Sequence, residues 1–259
     1  MTLFDPYQGF ELYGDPQTDP PDGNTTRLCI GRVGAPLQKE ATSASFYFWI
    51  PRDRLVEKTQ LVTCESTIAG RTYAFHALVT EVFRQSRSRS MGAEFDVGDG
   101  DVEYQSPFAN DGFAYAAASI LWSPVFTPPQ ERSPVYLASA EEARLSYGGE
   151  DIVDGHALEI GLIKNGANEV AGAGMIDLDY LLGTNGGHMN VNGSAGRGTK
   201  SSFLLFLNRL LLYRAQAEKD SRPSARDRLR VVPIILNVKG FDLFHIDRKS
   251  NRYRAEKHL

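Results

Sequence analysis

From Thr26 onward the apolar residues come in short, closely spaced runs, "RLCIGRV", "ASFYFWIP", "QLVTCEST", "RTYAFHALVTEVF", "AYAAASILWSP" and "SPVYLAS", separated by Gly, Pro and Ser. Several alternate with period two, which places Tyr73, Phe75, Val79 and Phe83 on one face of a strand. A strand of this kind has one face to bury and two edges to pair. A succession of them satisfies both needs by curling into a small barrel. Residues 26 to about 130 are therefore expected to form a β-barrel.

A chain of 259 residues, 42% hydrophobic and 10% aromatic, can build one large domain or two ordinary ones. Its 28 basic residues are outnumbered by 32 acidic ones, giving a net charge of −4. That excludes a nucleic-acid binder working by bulk positive charge, so any DNA contact is local. Cys29 and Cys64 lie in apolar strand-like runs without CxxC spacing, and are expected to be reduced and inside the barrel, as in a cytoplasmic protein. The opening "MTLFDPYQGF" has neither a basic n-region nor an apolar h-region, so no secretion signal is predicted. Residues 1 to 25, rich in Asp, Pro and Gly, are expected to be an irregular arm. The most apolar run, "SSFLLFLNRLLLY" at 201–213, is interrupted by Asn208 and Arg209. It falls short of the roughly 18 residues that cross a bilayer, so a buried helix and no membrane contact are predicted.

Arg84, Arg87 and Arg89 crowd into "RQSRSRSMG", either a solvated hairpin tip or a contact for a phosphate or partner. Arg222, Arg226, Arg228 and Arg230 lie in a polar connection, where solvation accounts for them. His76, His156, His188, His245 and His258 make no HxxxH or Cys/His constellation, so they are not expected to build a metal site. No G-x-S-x-G nucleophile turn is present. Beyond His156, "ALEIGLI" and "VAGAGMIDLDYLLG" are strand candidates; "MIDLDYLL" is read as a strand closing the barrel side, with Asp177 and Asp179 structural. A glycine-rich turn, a helix over about 200–217, a polar linker and the apolar run "LRVVPIILNV" come next, in the order of one βαβ unit of a parallel sheet. The expected fold class is mixed β and α/β: an N-terminal β-barrel, then the first βαβ part of a parallel sheet.

The turn, "NGSAGRGTKSSF", nearly matches the phosphate-binding pattern G-x-x-x-x-G-K-[ST]. Gly193 and Gly198 enclose four residues, but Thr199 holds the lysine position and Lys200 the hydroxyl position. In such loops successive backbone N–H groups and the positive end of the helix cradle an anion, while the lysine and hydroxyl emerge at set angles. One residue inserted at the helix start turns the later side chains by about 100° and advances them about 1.5 Å. A long lysine absorbs that shift more readily than a serine. Counting from Gly193 keeps Gly193, Gly196 and Gly198 in frame; counting back from Lys200 puts Ser194 and β-branched Thr199 where glycines belong. The first register is preferred. Gly193, Gly196, Arg197, Gly198, Thr199, Lys200, Ser201 and Ser202 are then the candidate ATP-binding residues, with Lys200 on the phosphates and Ser201, or else Ser202, beside Mg2+.

A β-rich N-terminal region, then "YLLGTNGGHMNVNGSAGRGTKSSFLLFL", then "VVPIILNVKGFDLFHID" resembles the HerA-type ATPases of the HerA/FtsK group. The specific part is a loop of the form G-x-x-G-x-[AG]-T-K-[ST]-S, matched by Gly193, Gly196, Gly198, Thr199, Lys200, Ser201 and Ser202. It is followed by N-V-K-G-x-D-L at Asn237, Val238, Lys239, Gly240, Asp242 and Leu243. The resemblance covers roughly residues 26–247 and makes the extra threonine a feature of one bacterial branch. It implies a HAS-barrel-like domain over 26–150 and the start of a RecA-like P-loop ATPase domain over 151–259. It also implies a homo-hexameric ring that hydrolyses ATP to translocate DNA, with a nuclease of the NurA kind or another anti-phage defence effector as partner. Such a motor needs a Walker B strand ending in Asp-Glu. None comes after Val238, so the catalytic residues are unassigned and the chain is expected to be the N-terminal part of a longer ATPase. Asp242 is read as a turn residue and Lys239 as a local partner. DNA contacts are expected from pore-facing loops, not from the outer surface of this part. The alternative is a non-catalytic assembly module in which the barrel recruits a nuclease and the loop is only a strand-to-helix turn.

Overall fold

The computed structural model describes residues 27–85, 91–104, 112–183, 187–193, 199–222, 224 and 228–236. The expected N-terminal arm, Arg87, Arg89, Arg226, His245, His258 and the "NVKGFDL" motif lie outside the described residues.

Six strands, β1 (Cys29–Val33), β2 (Ser45–Ile50), β3 (Leu61–Ile68), β4 (Arg71–Gln85), β5 (Phe113–Trp122) and β6 (Pro134–Leu137), make a closed antiparallel barrel in the order β1-β2-β5-β4-β3-β6. Alternation does the sorting. In "SFYFWI" the fully buried Phe46 and Phe48 point inward and face Ala118 and Ala116 across the β2–β5 register. Large residues opposite small ones fill the narrow interior without overpacking. Gly31 serves the same purpose on β1: a Cβ there would lie 2.5 Å from the Trp49 carbonyl oxygen and 2.6 Å from a Phe48 ring carbon. Ala69 and Gly70, both at positive φ, form the two-residue turn between Ile68 and Arg71 that the right-handed strand twist favours.

The expected face of β4 holds only as far as Val79. There the register slips, with Val79 opposite Ala118 and Glu81 opposite Ala117. The extra residue, Thr80, reverses the alternation, so Val82 turns to the core while Phe83 turns outward and stacks on Tyr115. Strand β3 departs differently: Leu61, Val62, Thr63 and Cys64 are all buried. Its outer side is covered, because Leu61 packs with Ala143 of helix α2 (Ala140–Ser146) and with Ala171. The short α1 (Met91–Val97) and α2 are not legible as helices in the sequence. A capping box in which Ser139 accepts from the Glu142 amide, and Glu142 from the Ser139 amide, starts α2.

The described chain divides into two compact units, one holding the barrel up to Asp151 together with Leu162–Gly172, the other Ile152–Gly161 and the described residues from Ala173 on. Strands β7 (Ala157–Asn165) and β8 (Glu169–Asp177) pair as a two-stranded hairpin whose tip groups with the barrel. The Leu61 amide donates to Asn165 Oδ1 at 3.0 Å, and the Ala167 amide to Glu57 Oε2 at 3.2 Å. "MIDLDYLL" therefore does not close the barrel. Closure is made by β6 against β1, and the segment splits into the end of β8 and a single helical turn, α3 (Leu178–Leu181). The helix expected over 200–217 is α4 (Thr199–Ser221). The apolar run after it is no strand over its described part: Val231–Leu236 belongs to no sheet, and Val232, Ile234 and Leu236 are exposed. A strand needs a neighbour to pair its backbone groups, and among the described residues the second unit offers only the β7–β8 hairpin, to which this run does not pair.

Both cysteines are free thiols; Cys29 is half-buried, and burial pushes the Cys64 thiol up to about 12. His76 is buried on β4, its Nδ1 3.0 Å from Thr63 Oγ1 and its ring stacked on Trp122. Burial holds its imidazole below the ordinary 6.5, outweighing the opposite pull of Glu142 and Glu150. The folded barrel thus binds fewer protons than the unfolded chain at mildly acidic pH. The resulting stability is fully present above the unfolded value and is lost as pH falls from about 6.5 toward the depressed folded value. Urea melts of wild type and His76→Gln between pH 7 and pH 5 should show a steeper loss in the wild type, and parallel curves would contradict this account. Phe48→Ala, which opens a cavity inside the barrel, should cost about 3–5 kcal/mol in the same melts.

Candidate functional site

The site depends on how α4 is held. Leu207 and Leu211 bury one side of the helix against Leu158 and Leu178, with Ile160, Leu181, Phe203, Leu210 and Val231 packed around them. Spacings of three, four and seven residues put these positions on one helical face. The second half of α4 is tied by polar contacts. Arg214 donates to the Gly155 carbonyl at 2.6 Å, and Glu218 accepts from Arg214 and from the Leu229 amide. The expected buried helix is therefore buried on one side only, since Leu204, Phe206 and Leu212 of the same run are more than a third exposed.

Asp177 and Asp179 have the structural role expected of them. Asp177 Oδ1 accepts from the Asp179 amide at 2.8 Å and caps α3, while Asp179 Oδ2 lies 2.7 Å from His156 Nδ1. The chain leaves α3, passes through Gly187–Gly193 and enters α4 at Thr199. Gly196, Arg197 and Gly198 lie outside the described residues. Lys200 sits in the first turn of α4, half-buried, and its Nζ donates to the Gly193 carbonyl at 2.7 Å. Its Cγ lies 3.3 Å from where a Gly193 Cβ would be. The structure thus brings together the first glycine and the lysine of the candidate motif. Thr199, Ser201 and Ser202 are exposed at the same helix start, and the first turn carries no acidic residue to oppose an anion.

An apolar cleft of about 370 Å³ lies beside α4, lined by Leu181, Leu182, His188, Met189, Leu204 and Leu207. Its lining joins α4 to the segment 181–189, and only the fold brings the two together. Arg84 is exposed at the end of β4, and Arg222 pairs with Glu218 at 3.4 Å, as for a solvated loop. Among the described residues, no three His, Cys, Asp or Glu side chains converge as a metal donor set, and no helix is long and apolar enough to cross a membrane. No protein-family model matches the chain, and no curated protein is significantly similar to it.

Leu207→Ala removes the side chain through which α4 meets the hairpin base, and should cost about 2–5 kcal/mol. Leu212→Ala, on the exposed side, should cost far less. Thermal melts followed by far-ultraviolet dichroism check both, and equal losses would contradict one-sided burial.

Proposed function

We propose that the chain is a subunit of a HerA-like ring ATPase that translocates DNA, and that the turn from Gly193 into α4 binds the phosphates of ATP with Mg2+. The observation that carries the reading is the Lys200 ammonium lying over the start of the loop, 2.7 Å from the Gly193 carbonyl. A lysine displaced by one inserted residue must still reach back from the helix to the first glycine of the motif, and the Nζ of Lys200 does. On nucleotide binding its Nζ exchanges that carbonyl for phosphate oxygens. The loop amides and the unopposed helix start supply the remaining positive potential. Ser201, with Ser202 as its neighbour, is the hydroxyl offered to the metal. Bound Mg2+ contributes charge neutralisation at the phosphates.

The wider parts of the proposal rest on the order of barrel, glycine turn and helix along the chain. Leu204, Phe206 and Leu212 on α4, with Val232, Ile234 and Leu236 beyond it, are apolar surfaces of the kind a RecA-like parallel sheet covers. In this reading they meet further strands of the motor, which also carry the hydrolytic carboxylates. The ring is a homo-hexamer, the nuclease or other defence effector works alongside it, and the cytoplasm is its place.

Calorimetry of Mg-ATP binding tests the central step. Lys200→Ala should weaken affinity about tenfold or more, and Ser201→Ala less, since a short hydroxyl turned away by the inserted residue reaches its ligand less readily than a long lysine does. Equal affinity in wild type and Lys200→Ala would retire the ATPase and favour a non-catalytic assembly module that recruits a nuclease through the barrel.

A further inference from the structure

The outside of the barrel carries a row of rings that the packing of the core does not require. Arg32 of β1 stands opposite Trp49 of β2, Trp49 opposite Tyr115 of β5, and Tyr115 opposite Phe83 of β4, so one line of side chains crosses four neighbouring strands. Phe83 and Tyr115 are stacked, centroids 4.9 Å apart and planes within 17°. Tyr47 and Phe113 flank Tyr115 at 6.4 and 5.9 Å. The Lys39 ammonium lies 5.6 Å from the Tyr47 centroid and 5.7 Å from that of Phe83. Trp49 is 44% and Phe113 39% exposed, so the cluster is open to solvent.

A solvent-facing sheet surface ordinarily alternates to polar residues, and a contiguous exposed aromatic patch marks a contact site. Two features choose the occupant. One pair of the rings, Phe83 and Tyr115, is stacked with Tyr47 and Phe113 tilted beside it, and cations stand at both ends of the row: Arg32, which also donates to the Arg132 carbonyl at 2.9 Å, at one end and Lys39 over Phe83 at the other. Glu81, two residues before Phe83 on β4, is paired with Lys58 at 3.0 Å, while Glu40 adjoins Lys39 in sequence. Aromatic faces combined with cations fit a polymer of planar bases on a phosphate backbone. The choice of DNA over RNA rests on the DNA-translocating reading above, and the RNA arm of the test separates the two. Bases are available for such stacking only in single strands. The net charge of −4 measures the whole chain and does not oppose a local site of this kind.

We propose that the outer face of the barrel across β2, β5 and β4 binds single-stranded DNA, its bases stacking against Trp49, Tyr115 and Phe83 and its phosphates meeting Lys39 and Arg32. The site stands on the barrel alone and does not depend on the nucleotide loop. The test uses the whole 259-residue chain without nucleotide, at low salt, with a fluorescent oligothymidine of about 15 nucleotides, near the upper site size of small barrels. Anisotropy should show saturable binding, weakened about fivefold or more by Trp49→Ala and by Tyr115→Ala. The surface variant Lys39→Glu should weaken it and flatten its salt dependence. Thermal melts establish that each variant is folded. In Trp122→Phe the remaining tryptophan, Trp49, should be quenched as DNA binds. Absence of saturable binding, affinities unchanged in the folded ring variants, tighter binding of duplex or of the RNA of the same sequence, or capture of a proline-rich peptide in place of DNA would each overturn the proposal.

Discussion

The pairing of β6 with β1 is the constraint on which the first unit depends. Without it the six strands are an open sheet with two unpaired edges, and its interior, from Phe46 to Val135, has no enclosure. The contact is short: Cys29, Gly31 and Arg32 face Tyr136, Val135 and Pro134, with a register shift between Cys29 and Gly31. So short a contact suffices because β6 is pinned on its other side by β3, whose Val62, Thr63 and Cys64 meet Leu137, Tyr136 and Val135. Pro134, with no amide to donate, opens the strand where a missing donor is tolerated. The flanking segments inherit this placement. The Ser139 cap starts α2 just beyond β6, and Arg27, just before β1, reaches both Glu65 and Glu142 while lying over the Tyr136 ring.

The second unit is built on a different balance. Its apolar content is concentrated in α4 and in the run after it, yet only the Leu207 and Leu211 side of the helix is covered among the described residues. Leucines all around a helix serve burial on more than one side. The motor reading accounts for that excess, because a helix packed on a parallel sheet and covered by neighbouring elements uses both faces. It also accounts for Lys200, whose aliphatic stem lies against Gly193 and whose charge returns to the beginning of the loop.

Strand alternation makes the barrel legible from the residues alone, because period two survives in "SFYFWI" and in β4 up to Val79. Bulges are not legible in that way. Thr80 is a normal strand residue, and only the cross-strand register shows that it is the extra one which sends Phe83 outward. The fully buried start of β3 and the failure of "MIDLDYLL" to close the barrel have a common cause: tertiary partners. Covering by α2 and the hairpin tip decides the first, and the β1–β6 pairing decides the second. Of the site, the helix start and the placement of Lys200 in its first turn are legible from the glycine turn and the apolar run. The contact with Gly193 is not, since spacing alone does not set the direction in which a long side chain leaves the helix. The run "VVPIIL" shows the limit of composition: β-branched residues favour a strand, but a strand exists only where a neighbour pairs with it.

Hydrogen–deuterium exchange of the whole chain, with and without Mg-ATP, bears most directly on the nucleotide site. Residues 187–207 span the approach to the loop, the loop and the first turns of α4. Nucleotide held by the loop amides should slow their exchange and that of the Lys200 turn, while the barrel peptides stay unchanged. Protection confined to the barrel, or none anywhere at saturating Mg-ATP, would contradict it.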